Sequence, residues 1–382
     1  MSEFAAENFW WKNITGPSGM IRDAVNALSE GYSVILGVPD FTAWADKMRS
    51  ILHEDLSGGD VYVTMIDAAA ECSVNAEEYL LTKYDTERRF RSRLSTVQEY
   101  LMRTGALRNH IFWLHNFRDK SQVTDWHNFC SKYQSDSADK GLFILDSVYE
   151  NLPSAGRMKA VNFSEYAESY DTRIFALFLL DADGYDRPQY SRNWKQYISL
   201  LSAMLCGSDA EVAERFIRLT DFTCNEPYDA LEMIAGDFPE RGMEGNHILN
   251  LLRNEDEDAV MNRIWTAQVQ IFFPMIELAR VKILRSNDEL RGRIAFALSY
   301  MELHGFPMTQ SDGRTVTDPE DLDIGGLFHI LCKSNMIKMN DVMLNEYVSI
   351  LRTFRNSLAH MTPCRVDSVR ELLDFERHYW EK

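Results

Sequence analysis

The chain of 382 residues has no run of about 20 apolar residues, the length a membrane-spanning helix needs. Its opening stretch, MSEFAAENFWWKN, puts acids and tryptophans where a secretory leader carries a basic flank and an apolar core. A cytoplasmic protein is the expectation. Cysteine is sparse and scattered: Cys72, Cys130, Cys206, Cys224, Cys332 and Cys364 form no CxxC pair and no close group with histidine. That pattern excludes a zinc ribbon and a disulfide framework, and predicts buried thiols. Basic residues are also short. Lys and Arg number 40 against 58 Asp and Glu, a formal charge of −18. Counterion release supplies most non-specific affinity for nucleic acid, so an extended duplex-binding face is excluded, while a local site for one phosphate is not.

What is present is enough to build cores. Hydrophobic residues make up 45% of the chain and aromatics 12%, and a chain of this length holds two or three domains. Residues 20–28 read as a short helix. Tyr32-Ser-Val-Ile-Leu-Gly-Val38, ended by Pro39, is a continuous apolar run of the kind that forms a strand buried on both faces. Helical spacing follows over 43–54, then strand patterns recur at 61–66 (after Gly58-Gly59), 110–115, 141–145 and 158–162, with helical patterns over 76–105 and 122–133. Strands alternating with helices predict a mostly parallel sheet covered on both sides.

This order over residues 20–165 resembles a P-loop NTPase core of the AAA+ or STAND kind. A working phosphate loop needs GxxxxGK[ST], whose backbone N–H groups and lysine hold phosphates. After strand 32–38 the chain offers Pro39-Asp40-Phe41-Thr42-Ala43-Trp44, with no glycine-lysine pair and a proline that removes a donor. Gly16-Pro17-Ser18-Gly19 lacks the lysine too. The third strand, where the resemblance places an acidic residue, ends in Leu114-His115-Asn116-Phe117, and Asp146 ends the fourth instead. The front is therefore expected to be a degenerate nucleotide-binding-like domain, not an ATPase, with no cofactor.

Beyond residue 165 the strand patterns stop. Helical periodicity covers 174–180, 194–206 and 210–219; residues 221–254 read as a loop-rich connector with Pro227 and Pro239. Residues 258–284 read as one long amphipathic helix whose apolar face is Trp265, Val269, Phe272, Phe273, Ile276 and Leu278, kinked or split at Pro274. A turn-rich, hairpin-like loop over 305–326 precedes helices at 327–334, 340–361 and 366–380.

The most informative residues lie in 347–361, Tyr-Val-Ser-Ile-Leu-Arg-Thr-Phe-Arg-Asn-Ser-Leu-Ala-His-Met. On a helix, Tyr347, Leu351, Phe354, Leu358 and Met361 make an apolar stripe. Arg352, Asn356 and His360 fall at i, i+4 and i+8 as a polar ridge beside it, flanked by Arg355. Thr362-Pro363 ends the helix just after His360, at the end where the macrodipole favours an imidazolium. Arg355-Asn356-Ser357-Leu358-Ala359-His360 resembles the HEPN family of small helical domains, marked by Arg, a polar residue, a short spacer and His. The resemblance implies a dimer in which two such segments form a metal-independent RNA-cleaving site. His360 would act as acid/base, Arg355 as phosphate stabiliser, Asn356 as orienter of His360, and Arg352 as a substrate contact. Histidine can move protons near neutrality, and arginine presents a charged fork to phosphate oxygens.

The sequence thus reads as an α/β degenerate nucleotide-binding-like domain (1–165), a helical connector (166–255) and a HEPN-like helical domain (256–382). The expected function is a metal-independent RNase of a microbial defence or toxin system. Its partners would be RNA at a local site and a second copy of the chain or a larger complex. The alternative is a noncatalytic subunit of a defence or ATPase machine, with Phe9-Trp10-Trp11 either a docking element or core.

Overall fold

The computed structural model describes residues 6–57, 61–85, 87–133, 141–182, 190–310, 312–334, 336–337 and 341–380. Gly58-Gly59, before the second expected strand, and Asn340, at the start of one expected helix, lie outside them. The chain divides into two compact units, one of residues 1–179, 206–214 and 240–247, the other of 180–205, 215–239 and 248–382.

The first unit is built on five parallel strands, β1 (Ser33–Gly37), β2 (Tyr62–Asp67), β3 (His110–His115), β4 (Leu142–Ser147) and β5 (Met158–Asn162), in the order β2-β3-β4-β1-β5. β1 is buried at every position, as its unbroken apolar run requires, whereas the edge strand β2 is half exposed. Alternation sends Ile35, Phe112, Leu114, Phe143 and Leu145 to one face, where they pack with Leu80, Leu101 and Trp126. Those partners come from helices Ala76–Tyr84, Val97–Thr104 and Lys120–Lys132. The β1–β2 connection carries helix Ala45–Leu56, and Arg49 of that helix bonds to Asp146 on the opposite face.

Helix Ala6–Asn13 opens the described chain. Its Trp10 and Trp11 are buried in the unit's own core, so the tryptophans are not a surface docking element. Trp10 meets Phe175 edge-on at 5.5 Å, and Trp11 Nε1 donates to Ala43 O at 2.9 Å.

The second unit is helical. Glu257–Arg285 is one unbroken helix of 29 residues despite Pro274, so the proline does not split it. Pro274 and Gln270, the residue whose carbonyl loses its N–H partner, both face solvent, which can satisfy that carbonyl. The buried face is Val260, Ile264, Ala267, Gln268, Phe272, Ile276 and Ala279, not the full expected stripe. Leu278 stands 71% exposed, because two residues past Ile276 is about 200° round the helix. Asn287 caps the next helix, Asp288–Leu303, which the sequence reading did not anticipate. Two further helices, Pro227–Ala235 and Ile248–Arg253, lie inside the stretch read as a connector.

The turn-rich segment closes an antiparallel bridge between Thr309 and Thr315. Helix Val342–Ala359, capped by Asp341, packs on the long helix through Phe354 against Phe272, ring centroids 4.9 Å apart. Helix Val366–Trp380 covers it through Phe375, stacked 5.7 Å from Tyr347. No helix of the described residues is long and apolar enough to cross a membrane.

Candidate functional site

Helix Val342–Ala359 presents the residues singled out by the sequence. Its buried face is Tyr347, Leu351, Phe354 and Leu358, as the spacing requires. Met361 departs from that stripe and is exposed, because the helix ends before it. Its φ of 56° lies in the left-handed region, and the Thr362 N–H returns to Ser357 O while the Met361 N–H returns to Leu358 O. This is a Schellman termination with His360 as the last helical cap. Methionine in that backbone conformation costs about 1–2 kcal/mol relative to glycine.

The termination leaves the His360 side chain exposed, with no hydrogen bond to its ring among the described residues. Arg355 and Asn356 are half-buried, and Arg355 Nη1 lies 3.4 Å from Asn356 Oδ1. The Asn356 side chain is thus bonded to Arg355 and not to the His360 ring, although the His360 backbone N–H donates to Asn356 O at 3.1 Å. Arg352 lies over the ring of Phe328, 4.5 Å from its centroid, at the point where helix Ile324–Phe328 passes into a π-turn over His329–Lys333.

Two residues of the long helix fix the end of this helix: Trp265, read from sequence only as part of an apolar face, and Gln268, which the sequence reading did not single out. Trp265 Nε1 donates to Leu358 O at 2.8 Å. Gln268, buried in the same long helix, donates from Nε2 to Cys364 O at 2.8 Å and accepts from Cys364 N at 2.7 Å. His360 therefore sits between two points held by one helix. A glutamine on an otherwise apolar face was the only available signal.

The first unit holds a cleft of about 410 Å³ at the carboxyl ends of its strands, lined by Arg49, Met65, His115, Phe117, Asp146 and Tyr149 among others. In open parallel sheets this is where ligands bind. Asp146 is buried and fully engaged: Arg49 donates to it from Nε at 2.7 Å and Nη2 at 3.1 Å, and Trp113 Nε1 at 3.2 Å. Burial works against the Arg49 charge, but Asp146 and then Asp46 outweigh it and raise the guanidinium above its ordinary value.

Where β1 feeds helix Ala45–Leu56, the backbone N–H of Trp44 donates to Glu211 Oε2 at 3.0 Å. Arg241 Nη1 contacts the same oxygen at 3.0 Å. Arg241 is held in turn by wholly buried Asp209, from Nε at 2.6 Å and Nη2 at 2.9 Å, with His247 Nε2 3.2 Å from that carboxylate. Burial pulls the Asp209 carboxyl upward, yet His247 and Arg241 together hold it below the usual range. Among the described residues no group of three or more His, Cys, Asp and Glu side chains is placed to hold a metal ion.

Comparison with known proteins gives little to set beside this geometry. No family model matches the chain. Bovine dCTP pyrophosphatase 1 is 32% identical over 92 residues, covering 23% of this chain and 53% of that protein. The chain thus spans about half the length of this curated relative. A solved structure described as Drosophila ORC bound to DNA aligns over 98% of this chain and 73% of its own, at 10% identity and a TM-score of 0.28.

Proposed function

We propose that the second unit is HEPN-like, and that Arg355, Asn356 and His360 form half of a metal-independent RNA-cleaving site completed by a second copy of the chain. The observation that carries this reading is the exposed, unbonded ring of His360 at a helix end braced by Trp265 and Gln268, one turn beyond half-exposed Arg355. A histidine kept for packing would be buried and paired.

In the reaction, the imidazole of one His360 removes the proton of an RNA 2′-hydroxyl as the 2′-oxygen attacks phosphorus. The bond from phosphorus to the 5′-oxygen breaks, and the imidazolium of the partner copy protonates that oxygen. Arg355 meets the charge on the phosphorane, with Asn356 Oδ1 steadying its guanidinium, and Arg352 contacts a neighbouring phosphate. The products are a 2′,3′-cyclic phosphate and a 5′-hydroxyl. By the resemblance, such an RNase belongs to a microbial defence or toxin system, and its RNA is bound locally at unpaired nucleotides.

Mixed cellular RNA incubated with the full chain in EDTA should be cut to products with cyclic phosphate ends. His360→Ala and Arg355→Ala should each lose roughly 10²–10⁴-fold in rate. Mixing the two variants should restore little, since the mixed dimer keeps one His360 where the reaction uses two. An inert wild type, or variants as active as it, would refute the proposal.

A second reading, a noncatalytic subunit of a larger assembly, is favoured by the first unit. The start of helix Ala45–Leu56 is occupied by Glu211 and no glycine-lysine pair adjoins it. On either reading the front is a pseudo-ATPase. Calorimetric titration with magnesium-ATP should show no binding at micromolar protein, and steady phosphate release would contradict it.

A further inference from the structure

A chain of net charge −18 gathers positive charge in one short stretch of its first unit: residues 88–98 hold four arginines and no acid. They lie between helices Ala76–Tyr84 and Val97–Thr104, and Arg88, Arg89, Arg91 and Arg93 are all exposed. Arg103 of the second helix is exposed beside them, near enough that it and Arg89 both act on the Tyr100 hydroxyl. Of these five, Arg89 alone forms an ion pair among the described residues, with Glu87. Arginine offers phosphate oxygens a charged, two-pronged donor.

The loop that carries them has a fixed frame. Asp85 accepts from the N–H groups of Arg89 and Phe90 at 3.0 and 2.9 Å and from Tyr100 Oη at 2.9 Å. Phe90 packs edge-on against Tyr100, ring centroids 5.4 Å apart, and Glu99 accepts from Thr96 N at 2.8 Å in a capping box. A backbone already ordered loses less freedom when its side chains take a ligand. Carboxylates would suit the same arginines, but the neighbouring rings favour a partner with flat bases. From Tyr84, where the loop starts, rings run in steps of 5.4–5.6 Å through Phe112 and His110 to Tyr62 on the edge strand β2. Tyr62 is 71% exposed, and His110 behind it is held by Nδ1 donating to Arg108 O at 2.7 Å. An aromatic ring left in solvent near a group of arginines is a platform on which an unpaired base stacks.

We infer that the arginine loop, Arg103 and Tyr62 form a surface of the first unit for single-stranded nucleic acid, the arginines holding phosphates and Tyr62 stacking a base. The surface is local, in keeping with a charge balance that excludes an extended duplex-binding face. The inference is independent of the RNase reading, because a DNA strand, which lacks the attacking 2′-hydroxyl, fits the surface as an RNA strand does.

Fluorescence anisotropy of a labelled oligo(dT) strand of about 12 nucleotides, titrated with the full chain, tests it. About four phosphate contacts predict a slope near −2.8 for log K against log salt, a loss of roughly 50-fold in affinity between 50 and 200 mM. Replacing Arg88, Arg93 and Arg103 together by Ala should flatten that slope by about 2 and weaken binding at 50 mM by more than roughly tenfold. Replacing the same three by Lys should keep the slope, which separates lost charge from a damaged fold. Tyr62→Ala should weaken binding by roughly 5–150-fold and leave the slope as it was, since stacking releases no counterions. Oligo(U) of the same length on the His360→Ala chain should bind within about tenfold of oligo(dT), because phosphates and a ring face do not read the sugar. No binding at 50 mM, an Ala triple variant as tight as wild type, or a wider gap between oligo(U) and oligo(dT) overturns the inference. So does polyglutamate of equal charge displacing the strand as well as unlabelled oligo(dT) does, which would assign the surface to an acidic protein.

Discussion

Gln268→Leu probes how the second unit holds its candidate site. The side chain is wholly buried and makes three bonds: Nε2 donates to Cys364 O at 2.8 Å and Tyr197 Oη at 3.3 Å, and Oε1 accepts from Cys364 N at 2.7 Å. Leucine has a similar volume, so the cavity term is small, but it leaves the N–H and C=O of Cys364 without partners in a buried setting. Each orphaned group costs about 1–3 kcal/mol, and the long Tyr197 contact adds little. Burying a leucine in place of an amide returns roughly 1–2 kcal/mol. The expected net loss is about 2–4 kcal/mol, or about 4–16 °C in Tm at the roughly 2–4 °C per kcal/mol of a unit this size. Calorimetry on the full chain reads it as a downward shift of one unfolding transition. Gln268→Glu, which keeps the acceptor for Cys364 N–H and loses the donor, should also melt below wild type. A Leu variant within about 0.5 kcal/mol of wild type refutes the account of Gln268 as the brace.

Asp209→Asn should cost about 3–5 kcal/mol at neutral pH, since it breaks a buried carboxylate–guanidinium pair from one side. The folded Asp209 value lies below the ordinary 3.8, so its stabilisation is fully present above that pH and is lost as pH falls through the folded value. Urea midpoints of wild type should therefore approach those of the variant only in strong acid, and parallel curves at every pH would count against the pairing. Asp146→Asn should lose about 3 kcal/mol by leaving Arg49 half-paired, read as a lower urea midpoint with an unchanged slope; an unchanged midpoint would contradict it. A thiol reagent on the native protein should label exposed Cys224 first and Cys332 more slowly. It should spare Cys364, whose thiol burial pushes up to about 12; fast labelling of all six would contradict the fold.

Strands were the legible part of the sequence. Each of the five is a short apolar run between turn residues, and period-two burial against helices leaves little else such a run can become. Helix Asp288–Leu303 was hidden for the opposite reason. Ile294, Ala297, Leu298 and Met301 are buried while Phe296, Tyr300 and Leu303 are exposed, so apolar residues surround the helix and no stripe stands out. In the candidate site, the ridge from Arg352 to His360 was readable because it is periodic within one helix. Its bracing was not. Gln268 meets a backbone 96 residues away and Trp265 one 93 away, and no local pattern encodes such pairs. The Glu211–Arg241 filling of the first unit was unreadable on the same ground, and Met361 left its stripe through a backbone turn that side-chain spacing does not report.

The strand order also sets a timetable for synthesis. β1 is made early but lies between β4 and β5, and Ser33 Oγ accepts from the N–H of Phe143, 110 residues later. At roughly 5–20 residues per second, a nascent chain carries this strand, buried at every position in the fold, unpaired for about 5–20 s before its first neighbour leaves the ribosome. The β2–β3–β4 portion, by contrast, can pair as it is made. A ribosome stalled near residue 130 should therefore present β1 to chaperones, and one stalled 40 residues past β5 should not.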